Sequence, residues 1–424
     1  MERQKALEVL NKGFTHTVKD PLWQNVYMTK EIKDLLSVKC VEKLSRIKQN
    51  GPSYLVYPGA VHTRLSHSIG VYHLGREILL SASRKSDSLP LTETGIISFI
   101  VACLLHDIGH FPYAHSLKEI AIKEHEELGS ILIREDEELF KAVKATGADP
   151  EYVAAIIDKD MLSSSDEIQF YRSLLSGTLD PDKLDYLSRD GFFAGIPYGK
   201  QDTAYIISSL SVIDGMLALD ESAISSVEEI LFSKYMMYRT LYWHKDVRSA
   251  TAMIKKALIS AVLQNKLKFD ELYFLDDDEF NSLMEEKAAE CEALSLVKRV
   301  KEGDILKEKV AFPFAENGTI EKKSLNPIKR KAVEDALYLK LKEKYSDLKE
   351  YEVILDIPEP INFETSLMIA KSDGTSSELD EDMLIFTRGV SKAFSKHLRK
   401  VRLFLPQYVD ETAAKKAVEE IANE

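Results

Sequence analysis

Histidines are concentrated in one part of the chain: seven of the ten lie between His62 and His125. Two of them belong to the run His106-Asp107-Ile-Gly-His110, which directly follows the apolar residues 102–105. A helix that ends in this run brings imidazoles and a carboxylate to one helix end. That mixture of donors suits a divalent metal ion of intermediate softness.

A metal site needs further donors, and the chain offers His67 and Asp182 in addition to His106 and Asp107. Two neutral imidazoles and two carboxylates would hold one Mn, Fe, Zn or Mg ion and leave positions for water and a phosphate oxygen. Such an ion lowers the pKa of its water, which favours hydrolysis near neutral pH. Taken singly, His67 and His106 are also explained as core histidines and Asp182 as a helix N-cap. The set of four together favours a metal.

Charged side chains near these donors could bind a phosphorylated ligand and move protons. Arg64 lies three residues before His67, so both point the same way from one helical turn, and the guanidinium could fork onto phosphate oxygens. The alternative for Arg64 is a surface ion pair. His125 is followed by Glu126, and a carboxylate that binds an imidazole raises its pKa and produces a general acid. The alternative for His125 is an exposed helix residue.

A second helical pattern follows Asp182. Lys183, Tyr186 and Asp190 are spaced i, i+3 and i+7 and share a face, which could border a ligand. The alternative is an amphipathic helix with an ion pair between Asp185 and Arg189. Both interpretations can hold together, because they use different faces of the helix.

The elements that must position these residues are mostly helical in pattern. Spacing and capping signals predict helices near residues 63–78, 94–106, 124–134, 151–157, 167–175 and 182–190, and one long helix over 227–264 that begins with a capping box of Ser226 and Glu229. Residues 54–57 are β-like, and after about residue 305 strands are predicted at 310–314, 351–357, 383–387 and 401–406. We therefore expect a mostly α fold, with an N-terminal helical segment 1–50, a helical body 51–305 and a smaller α+β C-terminal region 306–424.

Composition narrows the classes of function. With 424 residues, 45% of them apolar and 29% charged, the chain is typical of a globular protein that buries a large core. A net charge of −13 argues against nucleic acid as a partner. Three scattered cysteines suit a reducing compartment, and we find no signal peptide and no apolar run long enough to cross a bilayer. We expect a cytoplasmic protein without a membrane partner.

The order His67, His106-Asp107, Asp182 resembles the HD superfamily of metal-dependent phosphohydrolases. Three longer strings resemble its deoxynucleoside triphosphate triphosphohydrolase branch: YPGAVHTRLSHSIG from Tyr57, HDIGHFPYAH from His106 and DKLDYLSRD from Asp182. The match runs from about residue 20 to residue 245 and thins beyond it. The resemblance implies an HD-domain body with one divalent metal ion, which hydrolyses deoxynucleoside triphosphates (dNTPs) to deoxynucleoside and triphosphate.

The resemblance also assigns roles in proton transfer. It implies that His115 protonates the leaving 5′ oxygen, that Glu126 supports the acid–base set, and that His110 and His125 stabilise phosphate. His110 and His115 flank Pro112, which ends the preceding helix, so their side chains can turn toward one pocket.

Substrate contacts follow from the same resemblance. It implies that Arg64, Lys183 and Lys234 contact phosphate, and Lys234 stands where the family usually has an arginine. Tyr186 and Asp190 would border the sugar, and Gln49 would recognise its 3′ hydroxyl. The ring of Tyr242 would select deoxyribose. A lysine keeps the charge of an arginine but loses its fork. The alternative for Tyr242 is helix packing.

The chain departs from this branch where a guanine nucleotide effector would bind. Residues 37–45 lack the expected acid–arginine pair, and no arginine lies between Arg189 and Arg239. We therefore expect activity without an effector, in a homo-oligomer that is a dimer or a tetramer. Two alternatives stay open: an HD phosphohydrolase for a nucleoside monophosphate, a cyclic nucleotide or an alarmone, and a non-catalytic nucleotide-binding protein.

Overall fold

The computed structural model describes residues 1–86, 89–113, 123–213, 215–324, 326–361, 367–379, 384–385 and 387–423. Helices dominate these residues, which confirms the predicted mostly α fold. The helices are α1 (Arg3–Asn11), α2 (Lys30–Leu35), α3 (Lys39–Glu42), α4 (Arg64–Lys85), α5 (Glu93–Leu105), α6 (His125–Glu135), α7 (Glu137–Ala145), α8 (Pro150–Ile157), α9 (Asp166–Leu175), α10 (Pro181–Ala194), α11 (Thr203–Ser208), α12 (Ile224–Met237), α13 (Lys245–Leu263), α14 (Asp277–Lys287), α15 (Ser295–Lys301), α16 (Thr319–Lys323), α17 (Pro327–Lys342), α18 (Arg388–Leu398) and α19 (Glu411–Asn423). The strands are β1 (His16–Asp20), β2 (Gln24–Met28), β3 (Leu210–Ile213), β4 (Met216–Asp220), β5 (Lys307–Pro313), β6 (Ile354–Asp356), β7 (Met368–Ala370), β8 (Ser376–Glu378) and β9 (Lys400–Leu405).

The centre of the body is the helix pair α4 and α5, with α10 packed against α4. Each of the pair begins at a threonine whose hydroxyl accepts a backbone hydrogen bond: Thr63 from the amide of Ser66, and Thr92 from the amide of Gly95. From Gly95 to Leu105 nearly every residue of α5 is buried, so this helix runs through the core. The six shorter helices predicted from the sequence are all present, with shifted ends.

The N-terminal segment is not only helical, as the sequence analysis predicted. Strands β1 and β2 form an antiparallel hairpin. Val26 and Met28, two residues apart in β2, are fully buried, and burial of every second residue is typical of a strand. Residues 54–57 were predicted to be β-like, yet Gly51–Leu55 form a 3₁₀ helix. Pro52 at its start favours that turn, and the carbonyl of Ser53 accepts hydrogen bonds from the amides of Val56 and Tyr57. The first 50 residues share one core with the helical body.

The predicted long helix over 227–264 is wrong, because it is broken into α12 and α13. A π-helical turn, Tyr238–Tyr242, follows α12, and His244 then leaves the helix and caps α13 by accepting the amide of Asp246. The predicted capping box is also wrong, since α12 already begins at Ile224. π-Helical turns often lie at functional sites, and this one places Tyr242 and Trp243 at the main cavity.

The C-terminal region has its own core and a three-stranded antiparallel sheet in the order β5-β9-β6. The predicted strand 383–387 is wrong for its described residues, because Leu384, Ile385 and Thr387 lie in no strand. A second sheet, in the order β3-β4-β7-β8, crosses the predicted boundary near residue 305, since β7 pairs in parallel with β4. Among the described helices, none combines the length and the apolar character needed to cross a membrane.

Candidate active site

The structure brings the four predicted metal donors together at the ends of three helices. His67 lies in the first turns of α4, His106 and Asp107 follow the end of α5, and Asp182 lies in the first turn of α10. Donor atoms of His67, His106 and Asp107 all lie within 4.8 Å of one another. One oxygen of Asp182 is 3.0 Å from Nε2 of His67 and 3.9 Å from Nε2 of His106.

Local structure leaves these donors available for a metal. The N-cap of α10 is Asp180, which accepts the amide of Lys183, so the alternative role of N-cap for Asp182 is wrong. Nδ1 of His106 is held 3.0 Å from the carbonyl of Cys103, which turns Nε2 toward the other donors. That Nε2 is buried and has no hydrogen-bond partner among the described residues. A buried imidazole nitrogen without a partner, among two carboxylates and a second imidazole, fits a divalent ion.

The charges of the cluster are strongly coupled. Burial alone would lower the pKa of His67, but hydrogen bonds to Asp182 and Asp185 outweigh it and raise that pKa to about 10. Burial would raise the pKa of Asp107, yet His110, His106 and a neighbouring arginine hold it well below its ordinary value. A proton and a metal ion compete for the same Nε2 of His67, so metal affinity falls as the pH is lowered.

On one side of the cluster lie the groups predicted to handle phosphate. Arg64 donates from Nη1 to Asp107 at 2.6 Å, while its Nε is buried and has no partner among the described residues. Nε2 of His110 is 3.2 Å from Asp107, and its ring stacks on His125 at 3.8 Å between centroids. Nδ1 of His125 is 3.0 Å from a carboxylate oxygen of Glu126, as the sequence analysis expected. His115, the predicted acid, lies outside the described residues.

On the other side, Asp190 organises the residues predicted to meet the sugar. It accepts the hydroxyl of Tyr242 at 2.6 Å and pairs with Nε2 of His62 at 2.8 Å. No role was predicted for His62, although it lies in the same string as Arg64. The hydrogen bond fixes the Tyr242 ring, so packing alone does not explain this side chain.

A single cavity of about 1110 Å³ connects both sides. Eleven of the predicted site residues line it: Gln49, Arg64, His67, His106, Asp107, His125, Glu126, Asp182, Tyr186, Asp190 and Tyr242. Asn50 lines it as well, with a buried amide nitrogen that has no partner among the described residues. Side-chain amides of this kind are suited to read a polar ligand.

Three predicted residues do not reach the cavity. Lys183 turns back to its own helix end, where its ammonium donates to Gly177 at 2.7 Å and to Asp180 at 2.8 Å. None of Lys183, Lys234 and His110 is among the described residues that line the cavity, although Nε2 of His110 lies 3.2 Å from an oxygen of Asp107. The spacing predicted that Lys183 faces the ligand together with Tyr186 and Asp190. Instead, the carboxylate of Asp180, which caps the helix, binds its ammonium. Other cations line the cavity instead: Lys48, Lys159, Arg248 and Lys255.

Lys43 lies beneath the site and leads to a prediction about stability. Its buried ammonium donates to the carbonyl of His110 at 3.2 Å, and burial lowers the pKa of Lys43 to about 8 from 10.5. Between these two pH values the unfolded chain binds more protons, so this group makes folding more favourable as the pH rises. Lys43→Met removes the buried ammonium and with it the cost of burying its charge. The variant is expected to gain on the order of 1–2 kcal/mol over the wild type at pH 7, and less at pH 9.

Unfolding midpoints of both proteins at pH 7, 8 and 9 measure this difference. Lys30→Met is the control, because Lys30 is 67% exposed and its variant should follow the wild type at every pH. Curves for Lys43→Met that stay parallel to the wild type over this range would contradict the assignment.

Comparison with known proteins identifies the family. The model of the HD associated region matches residues 201–421, and the model of the HD domain matches residues 64–187. The uncharacterised protein YwfO of Bacillus subtilis is 32% identical over 242 residues, which cover 57% of this chain and 54% of YwfO. A Dictyostelium discoideum protein named deoxynucleoside triphosphate triphosphohydrolase SAMHD1 homolog is 28% identical over 251 residues, 54% of this chain and 46% of its own length.

The fold has a counterpart among solved structures. A phosphohydrolase from Bacteroides thetaiotaomicron aligns with a TM-score of 0.72 and 22% identity, over 92% of this chain and all of that chain. The stretches matched in the two curated relatives span about half of each relative's length. Because the HD associated region alone covers more than half of the chain, the chain belongs to the HD domain family. Within that family it resembles the deoxynucleoside triphosphate triphosphohydrolase branch of the HD superfamily.

Proposed function

We propose that the protein hydrolyses deoxynucleoside triphosphates to deoxynucleoside and triphosphate, with one divalent ion held by His67, His106, Asp107 and Asp182. The observation that carries the proposal is the single cavity that joins these donors to the pair of Tyr242 and Asp190. A nucleotide that places phosphate at the metal donors can place its sugar at that pair. The name of the SAMHD1 homolog points to the same substrate class.

The residues around the donors suit attack at the α phosphorus. When bound, a divalent ion polarises phosphate and acidifies water. Arg64, whose Nε has no partner among the described residues, and His125 line the cavity and can bind the charge of the phosphate chain, while His110 stacks on the His125 ring. The bond between the α phosphorus and the 5′ oxygen breaks, water supplies the new oxygen on phosphorus, and the 5′ oxygen takes a proton. The resemblance assigns that proton to His115, with Glu126 in support.

Selection for deoxyribose would come from Tyr242. Its ring is held by the hydrogen bond to Asp190, and Asp190 is held in turn by His62. A ring that cannot swing away excludes an added hydroxyl by size, and this favours a sugar without a 2′ hydroxyl. Gln49, whose carbonyl oxygen is buried without a partner among the described residues, can accept the 3′ hydroxyl.

The site of bond cleavage is tested with water labelled by heavy oxygen. Purified protein is incubated with each dNTP and Mn²⁺, and the products are separated and weighed by mass spectrometry. We expect one label in triphosphate, none in the deoxynucleoside, and turnover of a ribonucleotide at least about 10-fold slower. Release of monophosphate and pyrophosphate would refute the proposed cleavage.

A second candidate, a phosphohydrolase for a nucleotide with a single phosphate, is favoured by one observation. Lys183 and Lys234 are not among the described residues that line the cavity, and Lys48, Arg64 and Arg248 each pair there with a carboxylate. Less positive charge is then left for a triphosphate. The same assay with nucleoside monophosphates decides between the two, since this candidate requires inorganic phosphate as the product.

Two expectations from the sequence stay predictions. The protein is expected to form a dimer or a tetramer, and to act without a guanine nucleotide effector. We likewise propose domain boundaries at residues 50 and 305.

A further inference from the structure

Asp185 is the carboxylate that holds metal donor His67 from behind. Nδ1 of His67 lies 2.8 Å from one oxygen of Asp185. Nε of Arg189 donates to that same oxygen at 2.8 Å, and Nη2 donates to the other oxygen at 2.9 Å. The indole nitrogen of Trp23 completes the set at 2.6 Å. Each oxygen of this fully buried carboxylate therefore accepts two hydrogen bonds.

The N-terminal hairpin holds both ends of this network. Asp20, the last residue of β1, accepts the backbone amides of Leu22 and Trp23 with one oxygen, at 2.8 and 2.9 Å. Its other oxygen accepts Nη1 of Arg189 at 2.8 Å. The turn that presents the indole to Asp185 is thus fixed by the same aspartate that anchors the arginine.

Helix α4 leaves room for the network one turn after His67. A side chain on Gly70 would place its Cβ 1.8 Å from an oxygen of Asp185 and 2.6 Å from Nη2 of Arg189. The buried carboxylate and guanidinium therefore occupy the space that any larger residue would fill.

We infer that Trp23 is a positioning residue of the metal centre, acting on His67 through Asp185. An imidazole that donates its Nδ1–H to a fixed carboxylate presents Nε2 to a metal in one tautomer and one ring orientation. The indole N–H and the Asp20–Arg189 pair keep that carboxylate from rotating. The hairpin, which contributes no donor to the cluster, is in this way part of the metal site. The inference rests on the metal site of the proposed function, and not on its substrate.

The test is Trp23→Phe, which removes the N–H and keeps most of the apolar ring. Metal-free protein is titrated with Mn²⁺ by calorimetry, and its thermal unfolding is measured without metal. We expect Mn²⁺ to bind about 10–100-fold more weakly, as is usual for the loss of a group that orients a ligand. Trp23→His should recover part of the affinity, because Nε2 of histidine stands as many bonds from Cα as the indole nitrogen.

Tyr72→Phe is the matched control. The hydroxyl of Tyr72 donates to the carbonyl of Tyr27 in the same hairpin at 2.9 Å and does not contact Asp185 in any described hydrogen bond. Its loss should lower the unfolding temperature as Trp23→Phe does, while Mn²⁺ affinity stays that of the wild type. Equal Mn²⁺ affinity in Trp23→Phe and the wild type would overturn the inference. A wild type that binds no Mn²⁺ would instead refute the proposed metal site.

Discussion

A double variant with alanine in place of His106 and Asp107 is expected to retain no metal and to show no phosphohydrolase activity above background. Loss of a group that only orients a ligand costs about 10–100-fold in affinity, so loss of two donors should cost more than about 1000-fold. Asp107 also accepts Arg64 and lies beside His110. Its removal therefore disturbs the phosphate side of the site together with the metal side.

Removing the Asp107 carboxylate leaves a buried guanidinium without its partner, which can cost about 3–5 kcal/mol of stability. His106→Ala combined with Asp107→Asn keeps the shape of that side chain and serves as the companion variant. The control pairs His16→Ala with Asp34→Asn, because Asp34 is exposed and pairs only with a surface lysine among its described contacts. Metal content by mass spectrometry of the intact, folded proteins measures the result. Unchanged metal stoichiometry in the companion variant would show that the donors have been misassigned.

The largest effect on stability is expected from Arg189→Met. Arg189 is fully buried and pairs with both Asp20 and Asp185, so the variant leaves buried Asp20 without a cationic partner among the described residues and buried Asp185 with His67 alone. We expect destabilisation of about 3–5 kcal/mol at pH 7.5. Burial favours the neutral form of Asp185, but Arg189 and His67 outweigh it and lower the pKa to about 2. The stability that this pairing contributes is therefore complete above the ordinary carboxyl pKa and is lost as the pH falls toward 2.

Without the arginine, the pKa of Asp185 rises above its wild-type value because burial favours the neutral carboxyl, so the variant recovers stability relative to the wild type on acidification. Thermal unfolding at pH 7.5 and pH 5 should show the gap between the two proteins narrow. Arg172→Met is the control, because Arg172 is also buried but donates to backbone carbonyls of Ala155, Asp158 and Met161. Its variant should be destabilised to a similar extent at both pH values. A gap for Arg189→Met that does not change with pH would contradict the role of the buried charge.

Local sequence patterns were sufficient for the six shorter helices of the body, including the helix ends at which the proposed donors lie. The spacing around His67 and the apolar run before His106 predicted the helix ends at which the structure places these residues. Spacing failed at Lys183, because a carboxylate three residues earlier captures its ammonium. A helical periodicity shows which residues share a face, but it does not show which nearby group a flexible side chain will contact.

Contacts between distant segments could not be predicted from one sequence. Asp185 was interpreted as one half of an ion pair with Arg189, and that pair is present. Its second function, holding His67, depends on Trp23, which lies 162 residues away in the chain. The break between Met237 and Lys245 also escaped prediction, since no glycine or proline marks it.

The parallel pairing of β7 with β4 has a consequence for how the chain matures during synthesis. All four proposed metal donors precede residue 190, whereas Met368 reaches its partner Ala218 across about 150 residues. Closing so long a loop is slow and must wait until most of the chain has been translated. A product that ends before β7 would hold every donor and still expose one edge of β4, and open strand edges promote association between chains. The last third of the chain thus covers an open strand edge in a body whose proposed metal donors all lie in the first half.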